Sequence, residues 1–358
     1  MKCAFRNSGA GWLAIILTFL LLTSRATEPQ PSPAPRGKLI DIGGYKLNLY
    51  STGAADGPTV VLIAGAGDFS FDWSLVQDRI SAFTRVCSYD RAGFAWSDPG
   101  PTPRTMRQDA YELHLLLQKA AVPGPYILTG HSIGGLIARV YAAQYPHDVA
   151  GIVLVDSTHE DTQLNYRGKI VRVRESASGK PVPAVQTMQT SPPKPPTADD
   201  LKQQEFNRQV FGPPKISPPF DKLPIEIQKM RLWALENPKL AATEEDFWAD
   251  ELQNMHLARL KDPQPLGEIP LFDLIAGRDD ENGTTPQGTS AAEWDHIQEE
   301  KKRQKMDLIQ LSRNSKLLVD DKSGHHIQLD DPETVVVAIR EVIEAARKHT
   351  KLTGNSSR

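Results

Sequence analysis

Short apolar segments alternate with longer amphipathic segments along most of this chain, and this alternation limits its possible folds more than any other feature. Segments typical of buried strands occur at Thr59–Ile63, Arg85–Tyr89, Tyr126–Thr129 and Gly151–Val155. Helical spacing of apolar residues extends from Thr105 to Ala121 between two of them. Strands and helices that alternate in this way build a mostly parallel sheet with helices on both faces. The sequence therefore predicts an α/β fold with a doubly wound, mostly parallel sheet.

The alternation stops at residues 157–270 and resumes with the strand Leu271–Ala276. The interrupting region is polar and rich in proline, and insertions of this length are usually functional or disordered. Its tryptophans, Trp233 and Trp248, and its leucines favour a small helical cap over a disordered spacer. The resulting predicted organisation is a core of residues 38–156 and 271–348, a cap or lid of residues 157–270, and a flexible tail of residues 349–358.

Residues 1–26 have the pattern of a signal peptide. Two basic residues precede the apolar run Trp12–Leu22, and small residues stand at Ser24 and Ala26. The run is shorter than the roughly 20 residues that span a bilayer core. We therefore expect cleavage, export to the periplasm or the exterior, and no stable membrane insertion of the mature chain; an uncleaved signal anchor is the alternative. Residues 27–37 are predicted to form a flexible, proline-rich leader.

Charge and cysteine content narrow the classes of function. The net charge of −3 gives no electrostatic basis for binding nucleic acid. Cleavage of the signal peptide leaves Cys87 as the only cysteine, so no internal disulfide is possible, and its apolar strand indicates inert packing. The adjacent His325 and His326 lack the spacing that places two metal ligands on one helix face. We predict neither a metal nor a cofactor.

The strongest chemical signal is the segment Gly130-His131-Ser132-Ile133-Gly134-Gly135, which matches G-x-S-x-G between a predicted strand and a predicted helix. A strand that turns directly into a helix strains the backbone of the residue at the turn and projects its side chain above the sheet. Small neighbouring residues let strand and helix approach closely. Ser132 is therefore the predicted nucleophile, and the amide of Ile133, at the helix N-terminus, is a predicted oxyanion donor.

Two further loops follow predicted strands at the edge where open α/β sheets bind ligands. His325 follows the last strand and can act as the general base; the preceding Gly324 frees the loop to turn the imidazole inward, so we favour His325 over His326. The small-residue loop at Ala64–Gly67 allows a backbone amide to approach the substrate, and the amide of Ala66 is the predicted second oxyanion donor.

The residues alone leave the acid partner of the histidine open. Asp279 and Asp280 follow the strand Leu271–Ala276, and Asp156 follows the strand Gly151–Val155. Any of the three could orient the histidine and stabilise its charged form. Each could instead cap a helix or form a turn.

Four segments resemble the α/β-hydrolase family, in the branch with a cap inserted after the sixth strand. In family order they are AGAG at Ala64, SYDRAGFAWSD at Ser88, GHSIGG at Gly130 and SGHHIQLDDP at Ser323. The resemblance implies the α/β-hydrolase fold, and because relatives often carry G-x-x-D after the seventh strand, it points to Asp280 as the acid. Family members commonly have His-Gly where this chain has Ala64-Gly65. Ser132 argues against the haloalkane dehalogenases and epoxide hydrolases of the family, which use an aspartate nucleophile.

Together these features predict a serine hydrolase that acts on a small-molecule carboxylic ester or related acyl substrate through an acyl-enzyme. The same triad could instead serve a C–C bond hydrolase, a thioesterase, an acyltransferase or a cofactor-free haloperoxidase. A binding protein of the same fold with little turnover is the remaining alternative.

Overall fold

A computed structural model describes residues 32–54, 57–166, 169–183, 197–199, 201–202, 205–206, 212–237, 239–240, 247–278, 289–352 and 356–357. The predicted signal peptide and residues 27–31 of the predicted leader lie outside these ranges, and so do the candidate acids Asp279 and Asp280. No helix among the described residues combines the length and the hydrophobicity needed to cross a membrane.

In the described part of the chain, nine strands form one sheet in the order β1-β2-β4-β3-β5-β6-β9-β10-β11. Pairing is parallel from β4 to β11, whereas β1 and β2 pair antiparallel with each other and β2 pairs antiparallel with β4. The predicted mostly parallel sheet is confirmed. The strands of the sheet are β1 Lys38–Asp41, β2 Lys46–Thr52, β3 Thr59–Ile63, β4 Val86–Tyr89, β5 Tyr126–His131, β6 Val149–Val155, β9 Leu271–Ala276, β10 Ser315–Asp320 and β11 Ser356–Ser357.

Helices cover both faces of the sheet because each has an apolar stripe to bury. One face packs against α2 and α3, and the other against α1 and α8, through two separate clusters of buried side chains. The α-helices of the described residues are α1 Ser74–Ile80, α2 Met106–Lys119, α3 Ile133–Gln144, α4 Ile225–Leu235, α5 Trp248–Lys261, α6 Ala291–Asp307, α7 Ile327–Asp330 and α8 Pro332–Lys348.

The segment between β6 and β9 contains a separate hairpin, β7 Gln163–Tyr166 and β8 Lys169–Arg172, followed by α4 and α5. Helix α4 packs on aromatic side chains that follow the carboxyl ends of β3 and β4. Among these contacts, the rings of Trp96 and Trp233 lie 5.3 Å apart. This part of the insertion therefore lies over the sheet edge where the candidate site residues are found. Its role as a cap that selects substrates stays a prediction.

Candidate active site

Ser132 stands at a sharp turn between β5 and α3, with φ of 53° and ψ of −122°. Few residues other than glycine adopt a positive φ, and the strain is sustained by the packing around it. A Cβ on Gly130 would lie 2.3 Å from the carbonyl oxygen of Gly134, and one on Gly134 would lie 2.3 Å from that of Ile63. Only glycine at these two positions lets β3, β5 and α3 approach this closely.

His325 makes its closest polar contact with Asp156. The imidazole Nδ1 lies 2.6 Å from Oδ2 of Asp156, which follows β6 directly and is almost fully buried. Two backbone contacts hold Asp156 in place: its amide donates to the carbonyl of Leu274, and its Oδ1 accepts from the amide of Ala276. The structure thus brings together His325 and one of the three candidate acids. The alternatives Asp279 and Asp280 lie outside the described residues.

The charge of Asp156 defines the proton positions on His325. Burial alone would raise the pKa of Asp156, but the charge of Lys305 and the hydrogen bond with His325 outweigh it and hold the pKa below its usual range. An ionised carboxylate can only accept hydrogen bonds. We therefore assign the proton of neutral His325 to Nδ1, which leaves the lone pair of Nε2 available to accept a proton.

Lys305, on α6, is a member of this group that sequence reasoning missed. Its ammonium nitrogen lies 2.6 Å from Oδ2 of Asp156. The residue carries no local signature, because its place beside Asp156 depends on how α6 packs against the end of β9. Contacts of this kind follow from tertiary structure and not from spacing along the chain.

His326 turns away from this group toward Asp68 and Phe220. Its Nε2 lies 3.6 Å from Oδ2 of Asp68, and its ring centroid lies 4.7 Å from that of Phe220. His131 connects the two adjacent histidines: its Nε2 donates to the carbonyl of His325 at 2.9 Å, and its Nδ1 lies 3.1 Å from Oδ2 of Asp68. His131 therefore fixes the backbone of the loop that carries His325.

Asp68, His131 and His326 are the one group among the described residues whose ligand atoms lie close enough together to suit a metal ion, all within 4.8 Å. A positive charge already stands at this place. The guanidinium of Arg231, on α4, forms ion pairs with Asp68 and with Asp72, and it stacks over the ring of Phe220. The donor set therefore fits a buried ion-pair network better than a metal centre.

Arg91 holds the loop that carries Ala66. It donates from Nη1 to the carbonyl of Ala64 at 2.7 Å and from Nη2 to that of Gly65 at 3.1 Å. In a trans peptide the carbonyl and the following N–H point in opposite directions, so the Ala66 amide points away from Arg91. The amide of Ile133, in the first turn of α3, has no acceptor within the helix. The roles of these two amides as oxyanion donors stay predictions.

Ser132, Asp156 and His325 line one cavity of about 500 Å³. Pro218, Pro219 and Phe220 of the insertion contribute an apolar part of its wall. Helix α6 supplies a more polar part of the lining. One cavity thus holds a serine on a strained turn and a histidine whose Nδ1 faces a buried carboxylate. These groups can carry out acyl transfer.

The sequence profile of the alpha/beta hydrolase family matches residues 60–339. Among curated relatives, the uncharacterised protein YqjL of Bacillus subtilis is 34% identical over 119 residues, which cover 33% of this chain and 47% of YqjL. An AB hydrolase superfamily protein of Gibberella zeae is 25% identical over 305 residues, which cover 81% of this chain and 87% of that protein. The matches to the first curated relatives span less than half of their lengths.

The fold is also similar to that of a solved structure, Cfl2 from Burkholderia cenocepacia. The TM-score is 0.58 at 17% sequence identity, and the superposition covers 86% of this chain and 95% of Cfl2. At this identity the likeness concerns the fold alone.

Proposed function

This chain belongs to the alpha/beta hydrolase family, and from that premise we propose that it is a serine hydrolase that cleaves carboxylic esters or related acyl compounds. Ser132 is the proposed nucleophile, His325 the general base and Asp156 the acid that orients His325. The observation that carries the proposal is the 2.6 Å contact between His325 and the buried Asp156, in a cavity that also exposes the strained Ser132.

The first half of the reaction forms an acyl-enzyme. Oγ of Ser132 attacks the carbonyl carbon of the substrate while Nε2 of His325 takes the hydroxyl proton. The amides of Ile133 and Ala66 donate to the oxyanion of the tetrahedral intermediate. As that intermediate collapses, His325 returns the proton to the leaving oxygen and the alcohol departs.

The second half releases the acid. Water attacks the acyl carbon of the Ser132 ester, its proton passes to His325, and collapse of the new intermediate returns that proton to Oγ. Asp156 stays ionised throughout, because the pKa of its carboxyl group is held below the usual range. It stabilises the imidazolium form of His325 without taking the proton itself.

A mechanism-based probe tests the proposal. A fluorophosphonate should modify wild-type protein at Ser132, as shown by mass spectrometry of the labelled peptide, and Ser132→Ala should abolish both the labelling and the hydrolysis of p-nitrophenyl esters. Ser81→Ala, at the end of α1, is a matched control that should behave as wild type. Modification of a different residue, or full activity of Ser132→Ala, would contradict the proposal.

The adjacent histidines provide a second comparison. His325→Ala should reduce turnover by about the same several orders of magnitude as Ser132→Ala, since triad members act as a unit. His326→Ala should retain much of the activity because its ring contacts Asp68 and Phe220 and not Asp156. The opposite result would show that His326, and not His325, is the general base.

A further inference from the structure

Three neutral polar side chains line the active-site cavity: those of Thr158, Thr162 and Gln298. None of these side chains has a hydrogen-bond partner in the described part of the chain. Each can both donate and accept a hydrogen bond, because a hydroxyl group and a carboxamide group carry both functions. The three side chains are therefore available to a ligand that offers donors and acceptors of its own.

The backbone places Thr158 beside the proposed nucleophile. Its amide donates to the carbonyl of Ser132 at 3.1 Å. Thr162 lies in the turn that follows, where its amide donates to the carbonyl of His159 at 3.1 Å. Both threonines therefore belong to the short segment that joins β6 to β7, and the first of them lies next to Ser132.

Helix α6 brings Gln298 to the same part of the cavity. Gln304 of this helix donates to the carbonyl of Asp161 at 2.8 Å, so α6 packs directly against the segment that carries the two threonines. Residues four apart on a helix lie on the same side, and Gln298 and Lys302 accordingly both line the cavity. The ammonium group of Lys302 adds a donor to which a hydroxyl oxygen can respond as an acceptor.

This polar part of the lining lies on the side from which the leaving group departs. His325 protonates the leaving oxygen in the proposed reaction, so the alcohol part of the substrate lies toward His325. Helix α6 lies on the same side, because its Lys305 contacts Asp156 and Asp156 contacts His325. The apolar part of the lining, which comes from the insertion, remains for the acyl group.

We infer that the alcohol part of the substrate is a polyol, and that Thr158, Thr162 and Gln298 bind the hydroxyl groups that are not esterified. The inference rests on the proposed function and specifies its substrate class. A hydroxyl group donates and accepts at the same time, which matches the capacity of the three side chains. An alcohol part without hydroxyl groups would take water away from them and give no hydrogen bond in return, which costs free energy.

Two esters of the same acid test the inference: 2,3-dihydroxypropyl hexanoate and propyl hexanoate, which differ in the free hydroxyl groups of the alcohol part. Wild-type kcat/KM should favour the dihydroxypropyl ester by about tenfold, which corresponds to about 1.4 kcal/mol. Titration of the released hexanoic acid at constant pH measures both reactions, because neither ester carries a chromophore.

Thr158→Val combined with Thr162→Val removes both hydroxyl groups with little change in shape, and it should bring the ratio of the two kcat/KM values close to one. Gln298→Leu, on α6, is an independent second variant and should also lower the ratio. Thr350→Val, at an exposed position after α8 and outside the cavity lining, is the matched control and should keep the wild-type ratio. A wild-type ratio at or below one, or a ratio that neither the double variant nor Gln298→Leu lowers, would overturn the inference.

The proposed function and the inference fail in different ways. If wild type hydrolyses propyl hexanoate through Ser132 but shows no preference for the dihydroxypropyl ester, the proposed function stands and the polyol class is wrong. If neither ester is hydrolysed and the fluorophosphonate does not label Ser132, the proposed function is wrong and the inference fails with it.

Discussion

The ammonium group of Lys305 and the imidazole of His325 contact the same oxygen of Asp156, each at 2.6 Å. The proposed acid of the triad is thereby shared between His325 and a lysine. Burial raises the pKa of Asp156, and the charge of Lys305 opposes this rise and helps to keep Asp156 ionised. The pH dependence of kcat/KM should therefore change when Lys305 is replaced.

Lys305→Met should move the acidic limb of the kcat/KM profile to higher pH by about one unit, which is the scale of a neighbouring charge within a few ångströms. Burial raises the pKa of Asp156, and the charge of Lys305 is the largest effect that opposes this rise. Without Lys305, Asp156 therefore takes up a proton at higher pH, and the protonated acid no longer holds His325 in the same way. The measurement is kcat/KM for one p-nitrophenyl ester between pH 4 and 9.

Lys348→Met, which removes an exposed lysine from the end of α8, is the control and should leave the profile in place. An acidic limb that stays fixed in Lys305→Met, or one that moves to lower pH, would show that Lys305 does not act through Asp156.

Asparagine substitutions should separate the candidate acids. Asp156→Asn should lower turnover by about 10⁴-fold, because the amide cannot hold the imidazole in the required tautomer. Asp280→Asn and Asp279→Asn should stay within about tenfold of wild type, a barrier difference of about 1.4 kcal/mol. Steady-state kinetics on one ester would measure all three. A large loss in Asp280→Asn alone would restore the assignment that the family resemblance suggested.

Arg91→Lys should lower kcat by about tenfold to a hundredfold with little change in KM. The single ammonium cannot donate to the carbonyls of Ala64 and Gly65 in the way the guanidinium does, so the Ala66 amide should lose its fixed direction. Loss of an oxyanion donor costs about 10²–10³ in kcat, which sets the upper bound. Arg79→Lys, at an exposed ion pair, is the control. A lower folding stability together with a raised KM would indicate that Arg91 has a structural role only.

Asp273, in the middle of β9, is fully buried, and neither of its carboxyl oxygens has a hydrogen-bond partner among the described residues. Burial, and then the charge of Asp156, raise its pKa well above the ordinary value. The folded state therefore binds this proton more tightly than the unfolded state does. The resulting stability is complete at pH values below the unfolded pKa and is lost as pH rises toward the folded pKa.

Asp273→Asn cannot ionise, so the difference in melting temperature between the variant and wild type should shift in favour of the variant as pH rises from 4 to 8. Thermal unfolding of both proteins across this range provides the measurement. The comparison cancels the titration of groups common to both proteins. A difference that stays constant with pH would show that Asp273 does not carry a raised pKa in the folded protein.

Local patterns were enough to predict the sheet and the turn at Ser132. The fold class needed only the alternation of strands and helices, and it is confirmed. The strained turn follows from glycines within a few residues of Ser132, so the information is adjacent in the sequence. The place of His325 directly after the last predicted strand is also a local relationship, although the contact with His131 that fixes its loop joins distant segments.

The partners of the histidine could not be predicted in the same way. The strands that precede Asp156 and Asp280 end at the same edge of the sheet, so spacing alone did not separate the two candidates. The contact of Lys305 with Asp156 depends on the packing of α6, and that of Arg231 with Asp68 depends on the path of the insertion. Both contacts join segments more than a hundred residues apart, where local propensity carries no information.

Arg231, in the insertion, forms ion pairs with two acids of the core. These ion pairs contribute to the free energy needed to separate the insertion from the core. Displacing α4 would leave the buried carboxyl groups of Asp68 and Asp72 without their shared cation, which is unfavourable. The aromatic contacts of α4 could be lost one at a time as the helix moves, whereas a movement of the guanidinium changes its contacts with Asp68 and Asp72 together. Arg231 therefore opposes any movement of α4 that would take its positive charge away from Asp68 and Asp72.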